Sequence, residues 1–287
     1  MTLRLGTRTF ADTDLAIMAI INRTPDSFFD KGATFTDAAA LAAVEQAVAE
    51  GADIVDIGGV KAGPGAPVDA DEERRRTVPF VAEVRGRHPD LVISIDTWRA
   101  SVAREAVAAG ANLLNDTWAG ADPELAAVAA ETGAGLVCSH TGPNAPRTRP
   151  HRVTYDDLVT DVISTVTGLA ERAVELGVRR DGILVDPTHD FGKNTRHSLE
   201  LTRRLGELTA TGWPVLVALS NKDFIGETLN LPIDQRLEGT LAATALSAWL
   251  GARVFRAHQV LPTRRVLDLV ASVRGSRPPA VARRALA

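Results

Sequence analysis

The stretch that decides the fold is residues 182–193, GILVDPTHDFGK. Its branched apolar residues, Ile183 to Val185, are bounded by Gly182 and Pro187, a pattern typical of a strand covered on both faces. Asp186 follows this run directly and opens a cluster of polar residues. Ligands bind at the carboxyl ends of parallel strands in α/β folds, so the stretch predicts a buried strand that ends at a functional carboxylate.

The same arrangement of an apolar run followed by a polar residue recurs along the whole chain. Helix-forming segments separate these runs, and no linker or change of composition divides the sequence. Eight strands alternating with eight helices predict an α/β fold, a single (β/α)8 TIM barrel over residues 1–287 with its core at about 15–275. Residues Leu3 to Phe10, with Gly6 in the middle, predict a short N-terminal hairpin that closes the barrel floor. The polar residues that follow the runs are Asn22, Asp96, Asn115, Asp116, His140, Asp186, Lys222, Arg256 and His258.

Composition limits the classes of protein to consider. Hydrophobic residues make up 45% of the chain, which is enough for a large buried core, and the net charge of −4 argues against a general nucleic-acid binder. Cys138 is the only cysteine, so no intrachain disulfide can form. No apolar run approaches the roughly 20 residues of a membrane span. We therefore expect a cytoplasmic protein that binds neither nucleic acid nor membrane.

The polar residues at the strand ends predict the chemistry of the ligand. An ionised aspartate only accepts hydrogen bonds, so Asp96 and Asp186 suit the N–H groups of an aminopyrimidine-like ring. Arg256, His258 and Asn22 suit an anion, because the arginine fork matches a phosphate. The pattern contains no obvious nucleophile paired with a base. It predicts a ligand with a heteroaromatic ring at one end and phosphate at the other.

Each of these residues also has a structural interpretation. Asp96 and Asp116, each followed by threonine, are typical of helix N-caps. A histidine that follows a strand can instead be a buried structural residue whose ring nitrogens are hydrogen-bonded. This interpretation applies to His140, His189 and His258, and it is the better one for His189. Lys222 can likewise be a solvated charge in a loop. Function is favoured by the repetition, because unrelated polar residues would not follow so many consecutive strands.

These motifs resemble the dihydropteroate synthase family of pterin-binding barrels. The resemblance runs nearly end to end, and its motifs keep the family's order. They are residues 18–28 (MAIINRTPDSF), 93–97 (ISIDT), 115–116 (ND), 186–187 (DP), 191–193 (FGK), 219–222 (LSNK) and 256–258 (RAH).

The resemblance implies an activity and a set of site residues. The reaction joins a dihydropterin diphosphate to p-aminobenzoate and releases pyrophosphate, with Mg²⁺ bound through Asn22 and the diphosphate. A homodimer is also implied. The pterin would be bound by Asp96, Asn115, Asp186, Phe191 and Lys222, the diphosphate by Asn22, Arg256, His258 and Lys61, and p-aminobenzoate would lie beside Pro64 and Ser220. Asp96, Lys222 and Asn22 would carry the catalytic step.

The sequence departs from the family pattern in the loop after the second strand. The family has Glu-Ser-Thr-Arg-Pro-Gly where residues 60–65 read VKAGPG, so a hydroxyl is absent at Ala62 and a guanidinium at Gly63. Lys61 offers a charge without the arginine fork. Further departures are Thr188-His189-Asp190 in place of Gly-Ile-Gly, Asn221 in place of arginine, and the unusual Arg23 and Lys31.

Four functions stay open at this point. They are a working synthase, a divergent paralogue that binds pterin with little or no synthase activity, an interaction module that uses the apolar helix Glu238 to Leu250, and a metal-dependent hydrolase built on His140, Asp186, His189 and His258. The pterin side of the predicted site matches the family better than the p-aminobenzoate side.

Overall fold

The structure is a computed structural model that describes residues 1–24, 36–148 and 153–284. The predicted first loop, with Pro25 to Phe28 and Lys31, lies outside the described residues. Within them, no helix has both the length and the apolar composition needed to cross a membrane.

Eight parallel strands form the barrel that the sequence predicts. Their order around the sheet is β8-β7-β6-β5-β4-β3-β10-β9. A parallel bridge between Val185 of β8 and Val215, directly before β9, joins the two ends of this order and closes the barrel. They follow a two-stranded antiparallel hairpin, β1 and β2. The strands are β1 (Leu3–Leu5), β2 (Arg8–Phe10), β3 (Ala16–Asn22), β4 (Ile54–Gly58), β5 (Val92–Asp96), β6 (Leu113–Asp116), β7 (Gly135–Ser139), β8 (Ile183–Asp186), β9 (Leu216–Ala218) and β10 (Val254–Ala257).

The N-terminal hairpin closes one end of the barrel, as predicted. Leu3, Leu5 and Phe10 belong to the apolar cluster that fills the barrel interior together with Met18. The hairpin turns at Gly6, whose φ of +55° favours glycine, and a Cβ there would lie 2.7 Å from Nδ2 of Asn112. With this end closed, the opposite end of the barrel is left as the mouth.

Two apolar layers hold the barrel together, because neighbouring residues of a strand point to opposite faces. On β4, Ile54 belongs to the interior cluster, whereas Val55 and Ile57 pack outward against the helices. The same parity places Asp56 in the interior. A polar residue in this register therefore lies inside the barrel and close to its mouth.

Ten α-helices occur within the described residues, where eight were predicted. The helical segment 195–209 divides at Arg204, whose guanidinium binds Glu200, Glu207 and Asp157. The additional helix α8 begins directly after Lys222. Its first turn is capped from far along the chain, because Phe224 N donates to Asp190 Oδ2 over 3.1 Å. The helices are α1 (Asp37–Ala49), α2 (Ala70–Arg87), α3 (Ala100–Ala108), α4 (Leu125–Thr132), α5 (Leu158–Glu175), α6 (Thr195–Arg203), α7 (Leu205–Thr209), α8 (Asp223–Leu229), α9 (Leu237–Trp249) and α10 (Val260–Val273).

Candidate functional site

Polar residues end the barrel strands on the side opposite the hairpin. They belong to the strands themselves, since Asn22 ends β3, Asp96 ends β5 and Asp186 ends β8. Parallel pairing sets them side by side, with Asn22 opposite Gly58, Gly58 opposite Asp96, and Asp96 opposite Asn115. The mouth therefore carries a row of polar side chains that is interrupted at Gly58.

Asp56 lies on β4 two residues before Gly58, directly beneath this row, and is completely buried. Its Oδ1 accepts from Ser94 Oγ over 2.6 Å, and its Oδ2 accepts from Arg256 Nε over 2.6 Å and from Asn115 Nδ2 over 3.0 Å. Asp56 was not among the site residues predicted from the sequence. The signal was present, because it is a carboxylate inside an otherwise apolar strand, at a position that faces the barrel interior.

Arg256 joins two carboxylates across the mouth. Besides Asp56, it binds Asp96 from NH2 to Oδ2 over 2.9 Å, while Asp96 Oδ1 accepts from Thr117 Oγ1 over 3.0 Å. Burial raises the pKa of Asp96 to about 7, because loss of water and the neighbouring Asp56 charge outweigh the opposing charge of Arg256. Asp96 therefore changes between its neutral and its ionised form near neutral pH.

Asp186 and Lys222 form the opposite side of the mouth. Asp186 Oδ1 accepts from Thr188 N over 2.7 Å, and Lys222 Nζ donates to the carbonyl of His189 over 2.5 Å. Burial raises the pKa of Asp186, against the nearby charge of Lys222. Burial also lowers the pKa of Lys222, with Asp190 and Asp186 opposing. A buried acceptor and a half-buried donor are therefore presented together.

An aromatic wall adjoins this pair. Lys222 Nζ lies 5.0 Å from the centre of the Phe191 ring, and Phe191 packs edge to face against Trp118 with ring centres 5.5 Å apart. Trp118 is 4% exposed, so the wall is fixed by its packing. A flat ligand would find an aromatic face beside hydrogen-bonding groups. Trp118 was not among the site residues predicted from the sequence.

The segment Thr188-His189-Asp190 adopts the backbone shape that favours glycine while carrying side chains. Thr188 has φ 52° and Asp190 has φ 68°, conformations that cost roughly 1–3 kcal/mol at a residue with a side chain. Both side chains form hydrogen bonds that offset this strain. Thr188 Oγ1 donates to the carbonyl of Asp186 over 3.0 Å, and Asp190 Oδ1 accepts from Ser198 Oγ over 2.9 Å.

Lys193 ties the loop after β7 to the loop after β8. Its Nζ donates to the carbonyls of His140 over 2.8 Å, Phe191 over 3.0 Å and Thr188 over 3.2 Å, and it contacts His140 Nδ1 at 2.8 Å. Burial lowers the pKa of Lys193 to about 7. Lys193 lies in the motif 191–193, but no role was predicted for it. The structure makes it the residue that positions the aromatic wall.

The buried histidines have separate structural partners. His140 Nε2 contacts Asp161 Oδ2 at 2.8 Å, and His189 Nε2 contacts Thr202 Oγ1 at 3.1 Å. In the part of the chain that the structure describes, no group of three or more His, Cys, Asp or Glu side chains is placed to hold a metal ion. The arrangement expected of a metal-dependent hydrolase is thus not formed by these histidines. Asp116 likewise acts as a turn cap, since its carboxylate accepts from Trp118 N and Gly120 N.

The predicted p-aminobenzoate and diphosphate residues lie around the rest of the rim. Ser220 Oγ accepts from His258 N over 3.2 Å, which joins the ends of β9 and β10. Asn221, with φ 57°, turns its amide toward Gln259 Oε1 at 3.3 Å. Lys61 and Pro64 lie in the loop after β4, away from any strand.

Residues 18–258 match the family described as pterin binding enzymes. The chain belongs to this family. It is 63% identical over 281 residues to inactive dihydropteroate synthase 2 of Mycobacterium leprae, with 96% of each chain covered. It is 39% identical over 256 residues to dihydropteroate synthase of Bacillus subtilis, with 88% of this chain and 87% of that protein covered. A crystal structure of Yersinia pestis dihydropteroate synthase with a sulfonamide drug superposes with a TM-score of 0.91 at 34% identity, covering 96% of this chain and 100% of that one. The predicted fold and family are both confirmed.

Proposed function

We propose that this member of the pterin-binding family is a divergent paralogue that binds a pterin and has little or no dihydropteroate synthase activity. One contrast carries the proposal. Buried polar groups and an aromatic wall line the side predicted to hold the pterin, whereas the second loop offers Ala62 and Gly63 where the family has a hydroxyl and a guanidinium.

The pterin ring is recognised by complementary hydrogen bonds. Asp186 accepts ring N–H groups and Lys222 donates to a ring carbonyl or nitrogen, with Phe191 against the ring face. The amide of Asn115 adds an acceptor, because its Nδ2 is occupied by Asp56 and its Oδ1 points the other way. Asp96 supplies a further acceptor when it is ionised.

Residues on the Asn22 side of the mouth would hold the diphosphate and Mg²⁺. A Cβ built on Gly58 would lie 3.9 Å from Asn22 Oδ1 and 3.7 Å from Asp96 Oδ2, so both oxygens face the space beside this bare glycine. Such hard oxygen donors fit Mg²⁺, which typically takes one or two protein oxygens and completes its shell with phosphate and water. Bound there, Mg²⁺ would neutralise charge on the diphosphate. Lys61 contributes positive charge to the same anion, and N–H donors come from the His258 ring and from the part of the Arg256 guanidinium that Asp56 and Asp96 do not occupy.

The second loop limits the transfer step. Each charge-assisted contact that is lost removes about 1.5–3 kcal/mol. This loss of free energy corresponds to a roughly tenfold to hundredfold lower affinity for the substrate or the transition state per contact. Lys61 restores a charge but not a bidentate fork. Binding of pterin is retained, while capture and orientation of a second substrate are weakened.

The proposal is tested by measuring binding and turnover on the same preparation. Calorimetry with a 6-hydroxymethyl dihydropterin should detect binding, and incubation of pterin diphosphate with p-aminobenzoate and Mg²⁺ should yield little or no dihydropteroate. Asp186→Asn should abolish pterin binding, whereas Asp268→Asn, on the outer helix α10, should preserve it. Turnover at the rate of a standard synthase, or absence of pterin binding, would refute the proposal.

A homodimer is part of the same proposal, formed by an apolar face of α9 and α10. Leu246 and Trp249 are each 58% exposed, and Leu269 and Val273 are 65% and 66% exposed. Light scattering should give twice the chain mass, and Leu246→Glu with Trp249→Glu should give a monomer. Leu199→Glu, at an exposed leucine of α6, is the matched control. The interaction-module function would instead be supported if the wild-type protein is monomeric and co-purifies with an equimolar amount of a different protein.

The chain is proposed to act in the cytoplasm. A buried single thiol, Cys138, is compatible with a reducing compartment, where a disulfide has no role.

A further inference from the structure

Arg147 connects two loops on the mouth side of the barrel. It lies in the loop after β7, and its side chain reaches the loop after β4. Its Nε donates to the carbonyl of Gly63 over 3.4 Å, and its NH1 donates to the carbonyl of Ala66 over 2.9 Å. The guanidinium is thereby held against the second loop by backbone atoms.

The topology places this contact above part of the pterin site. Strands β4 and β7 are not neighbours, because β5 and β6 lie between them in the sheet. A side chain that joins their two loops therefore lies on the side of the rim where β5 and β6 end. Those ends carry Asp96 and Asn115.

The charge of Arg147 is not matched by an acidic partner in the described residues. Other arginines near the mouth are paired: Arg256 with Asp56 and Asp96, Arg99 with Glu73, and Arg236 with Asp223. Arg147 contacts only carbonyl oxygens within the same residues. Since an arginine has five N–H donors and two are used here, three stay available to a ligand.

The second loop needs such a cation. Between Gly58 and Pro67 it contains a single charged residue, Lys61. A guanidinium fixed by two carbonyls keeps the planar fork that a lysine lacks, and the fork suits the oxygens of a phosphate or carboxylate. The guanidinium that lies against this loop therefore comes from another part of the chain, the loop after β7.

We propose that Arg147 binds an oxyanion of the ligand at the barrel mouth, beside Gly63. This inference rests on the proposed function, because it assigns a subsite of the same pocket. The oxyanion is either the diphosphate of a pterin ligand or the carboxylate of a second ligand, and both share the same recognition chemistry.

The test measures three ligands by calorimetry: inorganic pyrophosphate, 4-aminobenzoate and an uncharged 6-hydroxymethylpterin. Arg147→Met should weaken pyrophosphate or 4-aminobenzoate about tenfold to a hundredfold, as expected for loss of charge-assisted hydrogen bonds. The anion that loses affinity identifies the source of the oxyanion. Arg147→Lys should recover part of the loss. The uncharged pterin should bind both variants as it binds wild type.

The control is Arg104→Met, at an exposed arginine that pairs with Glu131 across α3 and α4. It should leave all three affinities unchanged. The assignment is overturned if Arg147→Met binds both anions as tightly as wild type, or if wild type binds neither anion. It is also overturned if the uncharged pterin weakens by the same factor, because Arg147 would then only hold the loop. Failure of the proposed function is distinguishable, because the wild-type protein would then not bind the uncharged pterin.

Discussion

Arg256 donates from Nε to Oδ2 of Asp56 over 2.6 Å, although the two residues are 200 positions apart in the chain. They belong to β10 and β4, which are separated in the sheet by β3. Residues Arg256, Met18 and Ile54 lie in register across these three strands, so the ion pair crosses the interior just above Met18. Because Asp56 also binds Asn115 and Ser94, this single carboxylate organises residues from four strands.

Asp56→Asn should strongly destabilise the protein. Removing one partner of a buried ion pair typically costs about 3–5 kcal/mol, and here the cost should lie at or below the lower end of that range because Arg256 keeps its pair with Asp96. Urea unfolding followed by circular dichroism measures the change in the free energy of unfolding. Glu131→Gln breaks the exposed pair with Arg104 and should cost less than about 1 kcal/mol. Equal effects of the two substitutions would show that Asp56 does not organise the mouth.

Pterin binding should weaken as the pH falls below about 7. Burial raises the pKa of Asp96 to about 7, so acidification protonates this carboxylate and removes an acceptor for ring N–H groups. The dissociation constant should be nearly constant at higher pH and rise by up to about tenfold per pH unit below pH 7.

The variant Asp96→Asn isolates this effect from that of Asp186, whose pKa burial also raises. It should bind pterin more weakly at pH 8 and show a flatter profile between pH 6 and 8. Calorimetry across that range makes the measurement. A wild-type profile that matches the variant in slope would exclude a role for Asp96 ionisation.

Acid should destabilise the fold through His140. Burial and the neighbouring charge of Lys193 lower the pKa of His140 to about 4, from 6.5. Below pH 6.5 the imidazole is protonated in the unfolded chain but stays neutral in the folded protein. The contribution of neutral His140 to the free energy of unfolding is therefore lost as the pH falls toward 4. The slope is at most about 1.4 kcal/mol per pH unit. His140→Gln should reduce the slope of unfolding free energy against pH in this window, as measured by urea denaturation at several pH values. An unchanged slope would contradict the assignment.

Restoring the second loop should raise synthase activity. The double variant Ala62→Thr and Gly63→Arg returns the hydroxyl and guanidinium that the family has there, and dihydropteroate formation with Mg²⁺ should increase at least about tenfold, the effect of one charge-assisted contact. Chromatographic detection of dihydropteroate gives the readout. Gly65→Arg adds the same charge two residues further along the loop and should give no comparable increase. If the double variant gains nothing, the deficit lies elsewhere, as at Thr188-His189-Asp190.

Strand positions and most rim residues could be predicted because their signals are local. A branched apolar run followed by a polar residue shows where a strand ends, and Asp96, Asn115, Asp186 and Lys222 were found in this way. Three contributors to the site gave no comparable signal. Trp118 resembles any core aromatic residue, Lys193 follows a glycine in a loop, and α8 is capped by Asp190 from another loop.

The sequence by itself determined the barrel, because alternating burial and strand-helix spacing leave few other ways to cover the apolar runs. It also determined the chemical types of groups at the mouth. Only the tertiary structure decided which groups meet. Barrel closure brings Arg256 to Asp56, Lys193 to the carbonyls of two loops, and Arg147 to Gly63, and such contacts between distant residues follow from three-dimensional closure rather than from any local pattern.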